Sequence, residues 1–521
     1  MKNGLFFATW VLLSVVATAN AKVTLPDVFG SHMVLQRDMP VPIWGKAKKG
    51  EKITVNFRDQ TKTTVADADG NWSVKLDPLE ADGPDTLTVT GSDTVTFEDV
   101  LVGEVWLGSG QSNMNHFPSL CFKDADDLKQ PRDAQLERDV AKTWPRVRLF
   151  QRPSTNACWK VSTPDTNLKF SALLFEFGVQ LHAELKVPVG LMVGAEGGTA
   201  SWVWIPRDAF NRDEAIQKCV AAYRPKLEAQ RKKAQAELDK WKESPAAKEP
   251  GAKSPPKPPR DPADIGEIGQ DYRRFILPNA PFAIRGVLWD QGESGTGFDF
   301  VDQYTMMGAL IAGWRKDWGQ SDFPWVYIQK PSGWGCVLNP ADPITARAVP
   351  FAPLPARIPM GYDDGRRRIM SASIREYPNT AMACVSDLGI GLHPLDKSAY
   401  ATRALRAALA LAYKQPIEIY GPIFKSMEPE DGKARIHYSH IGKGLAVPAG
   451  KPLQGFIIAG EDKVWHWADA KLDGETVLVS NPKVPKPVAV RYAWAERIPW
   501  ATLFSQNGLP ALPFRTDDWP E

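Results

Sequence analysis

Through the middle of the chain, short runs of strand-forming residues repeatedly end in glycine-rich or small-residue turns, and this constrains the fold more than any other feature. The runs are Glu104-Val-Trp-Leu107 before Gly108-Ser109-Gly110, Val189-Gly-Leu-Met-Val193 before Gly194, Arg285-Gly-Val-Leu-Trp289 before Gln291-Gly292, Trp325-Val-Tyr-Ile328, and Ala381-Met-Ala-Cys-Val385 before Ser386-Asp387. Apart from Glu104 and Arg285 at their first positions they are apolar rather than alternating, as strands are when helices cover both faces of a parallel sheet. Helical stretches separate them, so the expected class is α/β with a parallel sheet flanked by helices. In open sheets of this kind loops from several strands converge at the carboxyl ends, and ligands bind there. Those turns are where chemistry is expected.

The flanks have a different texture. From residue 22 to 102 the pattern is short β-type runs split by turns: Met39 to Trp44, Lys52 to Phe57, Trp72 to Leu76 and Thr86 to Thr90, with Ala68-Asp69-Gly70-Asn71 supplying a turn that tolerates positive φ. An N-terminal β domain is predicted. The α/β domain is expected over 103–414, its last helix running from Ala401 to Tyr413. A C-terminal β domain over 415–521 follows from Lys433 to Tyr438, Gly455 to Ile458, Thr476 to Val479 and Val488 to Tyr492. Within the α/β domain, a charged helix from Asp213 to Glu243 and a Lys/Pro/Ala run to Pro262 read as an insertion with a solvated face.

At 521 residues two or three domains are expected. A net charge of +2 gives no field to recruit nucleic acid or an anionic membrane, so a neutral or weakly charged substrate fits better. Lys2, the apolar run from Leu5 to Ala17 and Ala19-Asn20-Ala21 read as a signal peptide over residues 1–21, cleaved after Ala21. That run is too short to cross roughly 30 Å of hydrocarbon, so a secreted or periplasmic protein with no membrane span in its mature form is expected. Cys121, Cys158, Cys219, Cys336 and Cys384 lie far apart without Cys-x-x-Cys spacing, which argues against a thiolate metal site. In an oxidising compartment one or two disulfides could form, with pairing unassigned and an odd thiol left over.

The turn Gly108-Ser109-Gly110-Gln111-Ser112-Asn113-Met114 places a serine directly after a strand, where a nucleophile would be exposed. It is not the Gly-x-Ser-x-Gly elbow, because Met114 stands in the last glycine place. Serine is also a favoured turn and cap residue, so these residues alone leave both roles open.

Trp106 to Met114 resembles the nucleophile block of the sialate O-acetylesterase family, a branch of the serine-glycine-asparagine-histidine (SGNH) hydrolases. The resemblance extends to His32-Met-Val-Leu-Gln36, Val41-Pro-Ile-Trp-Gly45, Gly197-Gly-Thr199, Gly286-Val-Leu-Trp-Asp-Gln-Gly-Glu-Ser294, His393-Pro394 with Lys397, Gly508-Leu-Pro-Ala511 and Pro513-Phe-Arg515. It implies an SGNH-like sheet in which Ser112 is the nucleophile and His393 the base. It also implies an oxyanion hole made of the backbone N–H groups of Ser112 and Gly198 and the side-chain amide of Gln291, with Glu293 holding the site by hydrogen bonds.

The family usually has an aspartate two or three residues before the histidine, where this chain has Gly391 and Ile390. Asp387 is the expected third member of the triad; Glu293, Asp396 or a backbone carbonyl are the other options. Asp290 and Gly295 stand where the family often has tyrosine and asparagine, near the expected substrate groove. Trp202, Trp204 and Trp289 flank the site, and sugar stacking is expected of one or two tryptophans.

The resemblance implies a carbohydrate O-acetylesterase that needs no metal or organic cofactor. The substrate would be an O-acetylated sialic acid or another acetylated glycan such as xylan. The alternative from another class is an inactive carbohydrate-binding protein on the same scaffold. Asn113, Asn115 and His116 make the neighbourhood too polar for a lipase. The oligomeric state is not legible.

Overall fold

A computed structural model describes residues 22–152, 157–244, 259, 261, 265–359 and 364–519. The signal-peptide segment and most of the Pro/Lys run lie outside the described residues. Seven strands form the path of the central sheet: β1 (Thr94–Gly110), β2 (Trp144–Arg152), β3 (Lys160–Ser162), β4 (Val189–Ala195), β5 (Gly286–Asp290), β6 (Trp325–Ile328) and β7 (Thr380–Ala383). Their spatial order is β7-β6-β5-β1-β4-β2-β3, parallel throughout except for the antiparallel edge pair β2 and β3. β1 therefore sits at the centre with the chain departing to either side of it. That is the switch point where such sheets bind ligands.

Both faces of the sheet are buried, as the unbroken apolar runs predict. Val105, Leu107, Val287, Trp289, Trp325 and Tyr327 face one core, while Trp106, Leu191, Leu288 and Val326 face the other. Strand side chains alternate between faces, so each run feeds both cores at once. Helix α3 (Ala172–Leu185) packs with α6 (Lys397–Ala412) on the second face, and α5 (Gln303–Trp318) contributes Met306, Leu310 and Trp314 to the first. Trp204 and Trp289 are at most 1% exposed, their rings 6.1 Å apart among Trp314 and Trp325. They cannot stack on a sugar, so of the three tryptophans beside the site Trp202 alone is left for the stacking expected of one or two. Trp202 is half-buried against Phe298, with ring centroids 5.9 Å apart.

Position 102 falls inside β1. The first residues of that 17-residue strand alternate in exposure and pair with Asp82–Thr90, and from Val100 on it is buried on both faces. One strand thus belongs to the N-terminal β layer and then to the central sheet. At the other end, two four-stranded antiparallel sheets share a core of Ile436, Val477, Phe456, Val490 and Phe514. The charged helix, α4 (Glu214–Glu243), starts at Asp213, whose carboxylate accepts the Ile216 N–H at 2.9 Å. It buries only Ile216, Val220 and Leu227, all in its first half. All five cysteines are unpaired, Cys121, Cys336 and Cys384 being buried. No helix among the described residues is long and apolar enough to cross a membrane.

Candidate active site

β1 ends at Gly110, and Ser112 opens the one-turn helix α1 (Ser112–Asn115). Gly110 has φ +130°, and a Cβ there would lie 2.2 Å from the Asp290 carbonyl. Only glycine allows β1 and β5 to close so tightly behind the serine. Gln111 locks the turn: its N–H donates to Asp290 O at 2.9 Å, and its Oε1 accepts the N–H groups of Gly292 and Ser294 at 3.3 Å. On the β4 side, a Cβ on Gly197 would lie 3.7 Å from Ser112 Cβ, so the exposed Gly197-Gly198 turn borders the hydroxyl. The N–H of Ser112, first in its helix, has no partner within it. Neither it nor the Gly198 N–H hydrogen-bonds to another described residue.

Beneath the serine lies a floor of buried charge. Asn113 donates to Glu293 Oε1 at 2.8 Å and to the Leu392 carbonyl at 3.0 Å, and accepts from Lys397 Nζ at 2.8 Å. Lys330 Nζ meets Glu293 Oε1 at 2.5 Å and Asp290 Oδ1 at 2.6 Å. Burial pushes the Asp290 carboxyl up. It would do the same to Glu293, but the Lys330 charge together with hydrogen bonds from Lys330 and Asn113 outweighs it and holds Glu293 below the usual range. Burial works against the Lys330 charge too, yet the two carboxylates hold that amine at about 12. Asp290 is therefore part of the floor, 1% exposed, rather than of the groove.

The Asn113–Leu392 bond fixes His393 beside the serine's helix, since Leu392 and His393 are neighbours, as are Ser112 and Asn113. His393 is half-buried and stacks on His116, ring centroids 4.9 Å apart and planes 29° apart. Burial, then the positive charge of Lys397, lowers the pKa of His393. Its imidazole is thereby kept neutral near pH 7, the form a base needs.

Two expected roles do not fit the geometry. Asp387 gives its Oδ2 to Arg403 Nη2 at 2.7 Å, and its buried Oδ1 has no hydrogen-bond partner, so it does not hold the His393 ring. The short loop leaves Asp387 at the base of the turn, where the α6 arginine captures it. Gln291 donates through its side-chain amide to Gly295 O at 2.9 Å and Thr199 O at 3.3 Å, and accepts from Ser201 Oγ at 2.7 Å. Both amide hydrogens are committed to backbone carbonyls, so Gln291 braces two loops together instead of facing an oxyanion. Asp396, the other aspartate near His393 in sequence, pairs with Arg347 at 3.2 Å. Beside Glu293 and Ser294 a cavity of about 690 Å³ opens, lined also by Phe298, Asp302, Arg366 and Arg367.

No family model matches the chain. The chain is 28% identical to rat sialate O-acetylesterase and 26% identical to the mouse protein, in each case over 93% of this chain and 92% of the relative. Among solved structures, a carbohydrate acetylesterase from Xanthomonas citri superposes with a TM-score of 0.72 at 27% identity, covering 96% of this chain and all of that one. An α/β sheet carrying a serine at its switch point, with relatives of this kind, defines an ester hydrolase. The likeness, over nearly the whole of this chain and of its relatives, supports the sialate O-acetylesterase family.

Proposed function

We propose that the protein hydrolyses acetyl esters on sugars through an SGNH-type site, with Ser112 as nucleophile and His393 as general base. What supports this reading is that the backbone N–H groups of Ser112 and Gly198 are unpartnered and that Asn113, next to Ser112, is bonded to Leu392, next to His393, whose pKa is lowered by burial. Ser112 Oγ attacks the acetyl carbonyl carbon while His393 takes the hydroxyl proton. The carbonyl oxygen, now negative, is met by the N–H groups of Ser112 and Gly198. The ester bond breaks, the sugar oxygen leaves with the proton from His393, and the acetyl group stays as an ester on Ser112 Oγ. Water then repeats the sequence, with His393 again as base, and frees acetate and the serine.

The cavity beside Ser294 mixes charged side chains such as Asp302 and Arg367 with aromatic ones such as Phe298, a lining that suits a sugar ring, and the two mammalian relatives are named for sialate esters. Acetylated sialic acid and acetylated glycans such as xylan are both proposed substrates. Export from the cytoplasm, on the pattern of residues 1–21, and the division at 22–102, 103–414 and 415–521 belong to the same proposal.

Acetate release from an acetylated monosaccharide and from acetylated xylan, measured for wild type and Ser112→Ala, tests it. Release by the wild type alone supports the reading. The competing reading, a sugar-binding protein without catalysis, draws on the capture of Asp387 by Arg403. It is favoured if neither glycan nor an activated acetyl ester is cleaved.

A further inference from the structure

Asp387 and Asp396 are engaged by arginines and Glu293 Oε1 by Asn113 and Lys330, so another carboxylate is the candidate to support His393. Helix α2 (Pro118–Asp127) follows directly on the serine's turn. One of its aspartates, Asp124, has Oδ2 3.0 Å from His116 Nε2. One ring nitrogen of His116, one of His393 and a carboxylate oxygen of Asp124 all lie within 4.8 Å of one another. Asp124 is about one-third exposed, whereas His116 is buried under the stacked His393 ring. No other aspartate or glutamate of the described residues shares so tight a cluster with His393.

We propose that Asp124 and His116 are the positioning residues of the base: His116 fixes the plane of the His393 ring by stacking, and Asp124 supplies the negative charge that favours its protonated form. This deepens the reading of His393 as base and rests on it. An acid in such a trio acts by orientation and electrostatic support and does not itself take the proton. Hydrogen bonds of this kind are often longer before substrate binds.

The charged and titratable groups around His393 come from five elements. Asp124 on α2 and Glu293 after β5 favour the imidazolium, whereas Lys397 on α6 and Lys330 after β6 oppose it. His116, beyond α1, is held at about 4, first by burial and then by Lys397 and His393. A neutral His116 lets the two rings stack without charge repulsion. Asp124 is thus an anion within 4.8 Å of a His393 ring nitrogen that does not also hold the floor under Ser112.

The test compares Asp124→Asn, Asp124→Glu, Asp387→Asn and wild type in the full chain. Asp124→Asn is expected to lower kcat at least about tenfold with KM little changed, as loss of support to a general base does. It also moves the acid limb of kcat/KM to lower pH, because the His393 imidazolium loses its stabilising anion. Asp124→Glu regains part of the rate, and Asp387→Asn leaves the acid limb in place. A merely structural Asp124 would lower the amount of folded enzyme without moving the limb. The NMR titration of the His393 ring, assigned with His393→Gln, gives a readout independent of turnover: its pKa falls in Asp124→Asn. An unmoved His393 titration in Asp124→Asn, or a downward shift in Asp387→Asn, overturns the inference. A wild type that releases no acetate overturns the proposed function, and the titration still decides the role of Asp124.

Discussion

Two clusters of buried charge bound the part of β1 that is buried on both faces, and they are built differently. Toward its amino end Glu104, fully buried, is saturated. Oε1 accepts from Arg37 at 2.5 Å and Arg285 at 3.2 Å, and Oε2 from Arg285 at 2.7 Å, Tyr413 at 3.0 Å and Gln36 at 3.2 Å. At the carboxyl end the cluster is incomplete: Glu293 Oε2 is buried without a hydrogen bond, and Asp290 Oδ1 meets Lys330 without a directed one. A buried polar atom left unmatched costs about 1–3 kcal/mol. Local rules are broken in real proteins chiefly at working sites. The saturated end ties β1 to the N-terminal segment; the unsaturated end holds Asn113, and through it the loops of Ser112 and His393.

This contrast can be broken or sharpened by substitution. The largest effect is expected of Ser112→Ala, which should reduce acetate release about 10⁴-fold in steady-state kinetics, with no loss in thermal stability. Next comes Glu104→Gln, which strands the Arg37 and Arg285 charges and should cost about 3–5 kcal/mol in urea unfolding while each folded molecule keeps its kcat. Glu293→Gln should reverse that pattern, costing under about 2 kcal/mol because Lys330 keeps Asp290, and lowering kcat. If both variants lose stability and rate alike, the two clusters do not differ in kind.

A smaller effect concerns pH. Since burial and Lys397 lower His393 below the ordinary value of 6.5, the active neutral form persists on acidification. The acid limb of kcat/KM is therefore expected below pH 6.5, and Lys397→Met should raise it. The smallest effect lies away from both clusters. Glu176 on α3 is raised by burial to about 8, so ionising it opposes folding increasingly as pH rises from its ordinary value of 4.5 toward 8. Glu176→Gln should raise Tm above pH 8 and leave it nearly unchanged below pH 4.5, measured by thermal melts.

The central strands were legible in the sequence because burial on both faces makes most of their residues apolar, Glu104 being an exception paired with Arg37 and Arg285. β2 escaped notice because Pro145, Arg146, Arg148 and Arg152 interrupt it, and the buried Arg148 is paired with Asp99 at 2.5 Å and donates to the Pro145 carbonyl at 3.1 Å. The last helix begins at Lys397 rather than Ala401, since that lysine is buried against Asn113. The blocks His32 to Gln36 and Gly286 to Ser294 both mark the family, yet only the structure separates their work. Gln36 accepts the Val105 N–H at 2.8 Å and donates to Glu104, far from the serine. Asp124 was hidden among Asp126 and Asp127 on a helix that reads as solvated. Lys330 was hidden in Gln329-Lys-Pro331; its one signal was a charge directly after the carboxyl end of a buried strand. Asp387 misled because spacing along the chain does not show that an arginine from a following helix reaches it first.

The most direct test of the account is to trap the intermediate. Rapid acid quench of the wild-type protein mixed with an activated acetyl ester, followed by peptide mass spectrometry, should find one added acetyl group on the peptide carrying Ser112. His393→Ala should slow both its formation and its loss. An acetyl group on another residue, or turnover with no acetylated peptide under any quench time together with an active Ser112→Ala variant, would contradict it.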